Sequence, residues 1–183
     1  ARPDAFLPDL AGSLNNIGIR LSELGRREEA LAAAQEALDI RRQLATARPD
    51  AFLPDLAGSL NNIGNRLSEL GRHDEALAAA QEALEIYRQL ATVRPDAFLP
   101  DLAMSLGANA EIQMAADRPQ AAVDLAAEGL GVILPLTEKR RDAFGQLTMA
   151  LAQTYVRAAQ LAGLEPDVAL LQRAAAAMEG WRD

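Results

Sequence analysis

SLNNIGIRLSELGRREEALAAAQEALDI, residues Ser13–Ile40, returns at Ser59–Ile86 as SLNNIGNRLSELGRHDEALAAAQEALEI. The flanks repeat with it: Arg48 takes the place of Arg2 and Ala57 that of Ala11, an offset of 46 residues. The same ruler reaches Arg94-Pro95-Asp96-Ala97-Phe98 and then Arg140-Arg141-Asp142-Ala143-Phe144. All four phenylalanines, Phe6, Phe52, Phe98 and Phe144, lie one period apart, and four periods of 46 account for the 183 residues to within one. Self-similarity at such a period marks stacked supersecondary units, each too small to bury its own apolar face. The chain is therefore read as four copies, about 1–46, 47–92, 93–138 and 139–183, the first two nearly identical and the last two drifting.

Half of the residues are hydrophobic but only 4% are aromatic. Alanine and leucine supply most of the apolar surface, which suits closely packed helices better than a β-sandwich or barrel. A net charge of −8 argues against nucleic acid, which calls for a basic stripe, and favours a neutral or basic protein partner. Without cysteine there is neither a disulfide framework nor a thiolate metal site, a composition that fits the cytoplasm. No apolar run approaches the roughly 18 to 20 residues of a membrane span, so no membrane partner is expected. Ala1 does not begin a signal peptide. The chain opens without methionine in mid-phase of a repeat, so it reads as a piece of a longer protein.

Within one unit, Pro8 suits the first helical position and Asp9 the first turn. Leu10, Leu14, Ile17, Leu21 and Leu24 then recur at helical spacing, and Gly25 stops the helix with a residue tolerant of a left-handed backbone. Glu28 and Glu29 open a second helix with a stripe through Ala30, Leu31, Ala34, Ala37, Leu38 and Leu44. It ends before Arg48-Pro49, because the residue before a proline avoids the helical region. The stretch Arg48–Leu53 is expected to be a proline-bounded loop whose Phe52 and Leu53 fold over the junction between units. Gly18 and Ala30 are small where the two helices of a hairpin approach, and Ala37 is small where the next unit packs.

The pattern of small and large positions at Leu14, Ile17, Gly18, Leu21, Gly25, Ala30, Ala37 and Leu38 resembles the tetratricopeptide repeat. It recurs at Leu60, Ile63, Gly64, Leu67, Gly71, Ala76, Ala83 and Leu84. The 46-residue period is longer than that family's common 34 residues. It is most similar to the long repeats of kinesin light chain and related bacterial regulatory proteins. The resemblance implies an all-α, right-handed alpha-solenoid of four helical hairpins, eight helices in all. In the third copy Asp117 replaces the turn glycine, Pro119 can open the following helix, and Pro135 should end or kink it. Gly129 and Gly131 each weaken that helix by about 1 kcal/mol relative to alanine. The fourth copy returns to glycine at Gly163, and its last helix runs from Pro166 and Asp167 through Met178 towards Trp181. Its divergence is that of a C-terminal cap, since a terminal repeat meets water on one face.

In the tetratricopeptide family the first helices line a concave groove that holds a peptide or helix of a partner protein. Carried over, the groove positions here include Asn15, Asn16, Ile19 and Glu23 in copy one and Asn61, Asn62, Asn65 and Glu69 in copy two. Each carboxamide offers two donors and an acceptor, so a column of asparagines can pair with a bound backbone without reading its sequence. One asparagine of each pair can equally serve the array itself by setting the spacing of hairpins. Arg20 and Arg66 are candidates for contact with an anion, or simply solvated arginines. Met104 and Met114 offer either an adaptable apolar patch or core filler.

Catalysis has little support. The only histidine, His73, stands where copy one has Arg27. No phosphate loop, HExxH or serine–histidine constellation can be assembled. Glu28, Glu36, Asp74 and Glu82 decorate helix faces at solubilising spacing, and no cofactor or metal is implied. The function expected is a protein–protein interaction module, joined to an effector domain as bacterial relatives of this repeat type often are. A homo-oligomer stacked through its repeats is the alternative.

Overall fold

The computed structural model describes residues 6–179, and within them the chain forms eight α-helices and no strand. They are α1 (Leu7–Glu23), α2 (Arg27–Ala47), α3 (Pro49–Glu69), α4 (His73–Val93), α5 (Pro95–Ala115), α6 (Pro119–Lys139), α7 (Arg141–Ala162) and α8 (Val168–Met178). The chain divides into two compact units, Ala1–Ile86 and Tyr87–Asp183, and α4 runs from one into the other. In the first unit α1 packs on α2 and α2 on α3. In the second, α5 packs on α6, α6 on α7, and both α6 and α7 on α8. The chain is thus an all-α series of helical hairpins in which consecutive helices pack in pairs.

The turn inside each hairpin follows from one backbone geometry. Gly25, Gly71 and Gly163 have φ of 74°, 74° and 68°, values that cost glycine nothing. At Gly25 the N–H of Arg26 donates to the Leu21 carbonyl at 2.9 Å and that of Gly25 to Ser22 at 2.8 Å. These are the paired bonds of a Schellman cap, which satisfy carbonyls the helix leaves open. In the third copy Asp117 keeps the geometry at φ 59°. Aspartate is among the few side chains that visit this region, so the hairpin survives the loss of glycine.

The junction between hairpins differs from the expected loop. Arg48–Leu53 is not a linker: α3 begins at Pro49, and among these residues only Arg48 (φ −144°, ψ 80°) lies outside a helix. Pro49 occupies the first turn, where its missing N–H costs nothing. The N–H groups of Ala51 and Phe52 donate to the Arg48 carbonyl, each at 3.2 Å. Phe52 is buried, and the Arg48 guanidinium lies 4.9 Å from its ring centroid. Burying that ring is worth about 1.5–3 kcal/mol and the cation–π contact about 0.5–1 kcal/mol more. The pair recurs at Arg94–Phe98 and Arg140–Phe144. Pro54 and Pro100 consequently sit inside helices rather than at their starts.

Pro135 also fails to end its helix, since α6 continues to Lys139. A core of Leu130, Ile133, Leu134, Leu151 and Tyr155 in the second unit holds it in place. Among the described residues α6 is the one helix with the length and apolar composition of a membrane span, but those apolar side chains belong to the unit's own core. Gly129 is more than a weak helix former. A Cβ there would meet the Leu151 side chain at 2.9 Å, so its small size allows the close approach of α6 to α7. Gly131 has open space around it. In α8 the Asp167 carboxylate caps the helix by accepting from the N–H groups of Ala169 and Leu170. Trp181 lies outside the described residues.

Candidate partner-binding face

The first unit places α1 and α3 side by side, joined through polar side chains. Gly18 sets the approach of α1 to its hairpin partner, because a Cβ there would lie 3.1 Å from the Ala30 carbonyl oxygen. With α1 so fixed, Asn62 Nδ2 donates to Asn15 Oδ1 at 2.7 Å. Arg66 Nη1 donates to Ser22 Oγ at 2.6 Å and reaches Glu69, and the Ser22 hydroxyl donates to Glu69 at 3.2 Å. The face shared by α1 and α3 is therefore a fastened strip rather than two independent helices.

The expected groove residues divide into two sets on this strip. Asn15, Asn61 and Asn62 are half-buried, and the Asn15–Asn62 bond joins the hairpins to each other. Asn16, Ile19, Glu23, Asn65 and Glu69 are exposed, and Glu69 is drawn into the Arg66–Ser22 cluster. Neither arginine considered for an anion is uncommitted: Arg20 pairs with Glu23 at 3.0 Å, and Arg66 pairs with Glu69. The methionines part company too. Met114 packs against the core of the second unit, while Met104 is exposed.

The second unit, taken by itself, joins its own first helices, α5 and α7, through different chemistry. Glu111 of α5 accepts from Thr154 at 2.7 Å and pairs with Arg157 of α7. Beside them Met149, Ala152, Gln153, Val156, Arg157 and Gln160 line a hollow of about 460 Å³ along α7.

Several contacts escaped the sequence reading although a numerical signal was present. Arg42 pairs with Glu82 and Arg88 with Glu128, both 40 residues apart and one period from each other. Arg41 donates to Ser59 Oγ at 2.5 Å and to the Asp55 carbonyl at 3.1 Å, stitching α2 to α3. Arg26–Glu29 and Arg72–Glu75 repeat one surface ion pair, which holds each glutamate below the usual carboxylate range by its hydrogen bond to arginine. A cross-hairpin pair is separated by almost one period, so charge patterning within a helix does not reveal it.

Among the described residues no group of three or more histidine, cysteine, aspartate or glutamate side chains could hold a metal. His73 opens α4 half-buried, with no partner for its Nδ1 among the described atoms.

No curated protein matches the chain. The family model of the tetratricopeptide repeat matches twice, at residues 10–45 and 56–91. These segments run from α1 to α2 and from α3 to α4, so each match is one hairpin. Residues 46–55, which separate the matches, lengthen the helices instead of forming a loop, apart from Arg48. Such repeats generally mediate protein–protein interaction, in a fold that typically serves binding rather than catalysis. The two matched hairpins are tetratricopeptide repeats, and further helical pairs follow them on the same period.

Proposed function

We propose that this chain holds a peptide or helix of a partner protein against the strip formed by its first helices. The supporting observation is the division of labour on α1 and α3. Asn15 and Asn62 spend their amides on each other, while Ile19 and Asn65, one period apart, stand exposed. The fastened pair fixes the platform, and the exposed Asn65 carboxamide offers donors and an acceptor to an incoming backbone. Ile19 adds apolar contact. The negative charge of the chain favours a neutral or basic segment. The resemblance to long bacterial regulatory repeats supports a wider setting, in which the array restrains or senses a fused effector domain in the cytoplasm.

The test selects peptides from a displayed random library on the intact chain and maps their contacts by NMR. Ile19→Ala with Asn65→Ala should lose the selected peptides without a change in melting. Asn62→Ala should also lower melting, because it breaks the tie to Asn15. Undiminished binding by the double variant, or contacts mapping away from α1 and α3, defeats the reading.

A further inference from the structure

The side of α1 and α2 facing away from α3 carries the same residues that α3 and α4 use to dock on the preceding hairpin. In copy two Phe52, Leu56 and Ile63 are 8%, 7% and 3% exposed. Their counterparts Phe6, Leu10 and Ile17 are 66%, 45% and 50% exposed. The polar groups match as well. Ser59 receives Arg41, Glu82 receives Arg42, and Asn62 bonds Asn15. Ser13, Glu36 and Asn16, one period earlier, are exposed, with no hydrogen-bond or ion-pair partner among the described residues.

We propose that this face docks a further helical hairpin that carries two adjacent arginines on its second helix, spaced as Arg41 and Arg42 are. The first arginine would meet Ser13 and the second Glu36. An asparagine on its first helix would meet Asn16, and a small-residue helix surface would cover Phe6, Leu10 and Ile17. The occupant is a repeat of the copy-one kind, not a second copy of this chain offering its far end. There α8 spans 11 residues, its single arginine Arg173 is paired with Glu138 at 2.7 Å, and Gln153 stands where copy one has Asn15.

The experiment places one additional copy of residues 1–46 in frame ahead of the full chain and follows amide exchange of α1. Exchange of α1 should slow by at least about tenfold, as a frayed terminal element becomes an internal one. Reversing the added copy's counterpart of Arg42 to glutamate should remove much of that protection, and Glu36→Arg in the acceptor should restore it. Circular dichroism of each variant shows whether the added hairpin is helical. If α1 exchange is unchanged beside a helical added hairpin, the docking face is refuted. If charge reversal has no effect, the arginine requirement is refuted. Sedimentation of the unmodified chain tests the occupant: a monomer supports the assignment, and a dimer that Ile17→Ser dissolves makes the second copy the occupant instead.

Discussion

The two units solve one packing problem with different side chains. In the first, α2 meets its neighbours through Arg41 on Ser59 and Arg42 on Glu82, the latter pair largely open to water. Two periods later the same positions hold Ile133 and Leu151, and Leu134 and Ala174, all buried in one core. An exposed ion pair contributes about 0–1 kcal/mol after solvent screening and side-chain ordering. Burying one leucine or isoleucine contributes roughly 1.5–3 kcal/mol. Beyond the burial of Phe52, Leu56 and Ile63, the near-identical hairpins thus add specific but weak polar contacts at these positions, where the diverged ones have a drier and stronger core.

The most severe challenge to that contrast is Leu130→Ala, which opens a cavity where the side chain is fully buried. It should cost about 2–5 kcal/mol in chemical denaturation, and a loss below 1 kcal/mol would remove the case for a stronger second core. Gly18→Leu in the first unit should cost roughly 1–3 kcal/mol by overpacking against Ala30 and Ala34. That places the first unit's sensitivity in its hairpin contact rather than its polar seams. In the other direction, Gly131→Ala fills open space on α6 and should add about 1 kcal/mol of stability. A loss there would mean that the glycine serves packing, as Gly129 does. The smallest effect belongs to Arg42 and Glu82, whose double-mutant cycle should give a coupling of about 0.2–1 kcal/mol that fades in salt. A coupling of several kcal/mol would overturn the view that the first unit's seams are weak.

Much of the architecture could be read from residue spacing. The period, the helix pairing and the glycine turns rest on residues whose effect is local: Gly25 bends the chain because of its own backbone, whatever surrounds it. The junction could not be read this way. Pro54 stands where copy one has Pro8, which suits a helix start, and a loop over Arg48–Leu53 would have made Pro54 a start as well. The outcome at Pro49 depends on Phe52 finding a buried site and Arg48 lying over its ring, contacts that local propensity does not contain. For the candidate face, its helices and residue types were legible, but which asparagine ties hairpins together was not. That division depends on Asn15 and Asn62, 47 residues apart, arriving within hydrogen-bond reach.

By itself, then, the sequence determined a chain of helical hairpins on a 46-residue ruler, because periodic apolar faces and left-handed turn residues act over a few neighbours. Tertiary structure alone decided where the junction helices begin, which polar groups are spent inside the array, and which copies of an identical surface are covered. Each of those outcomes is settled by what another hairpin brings into contact, and identical residues such as Ile17 and Ile63 acquire different environments only when one has a neighbour and the other does not.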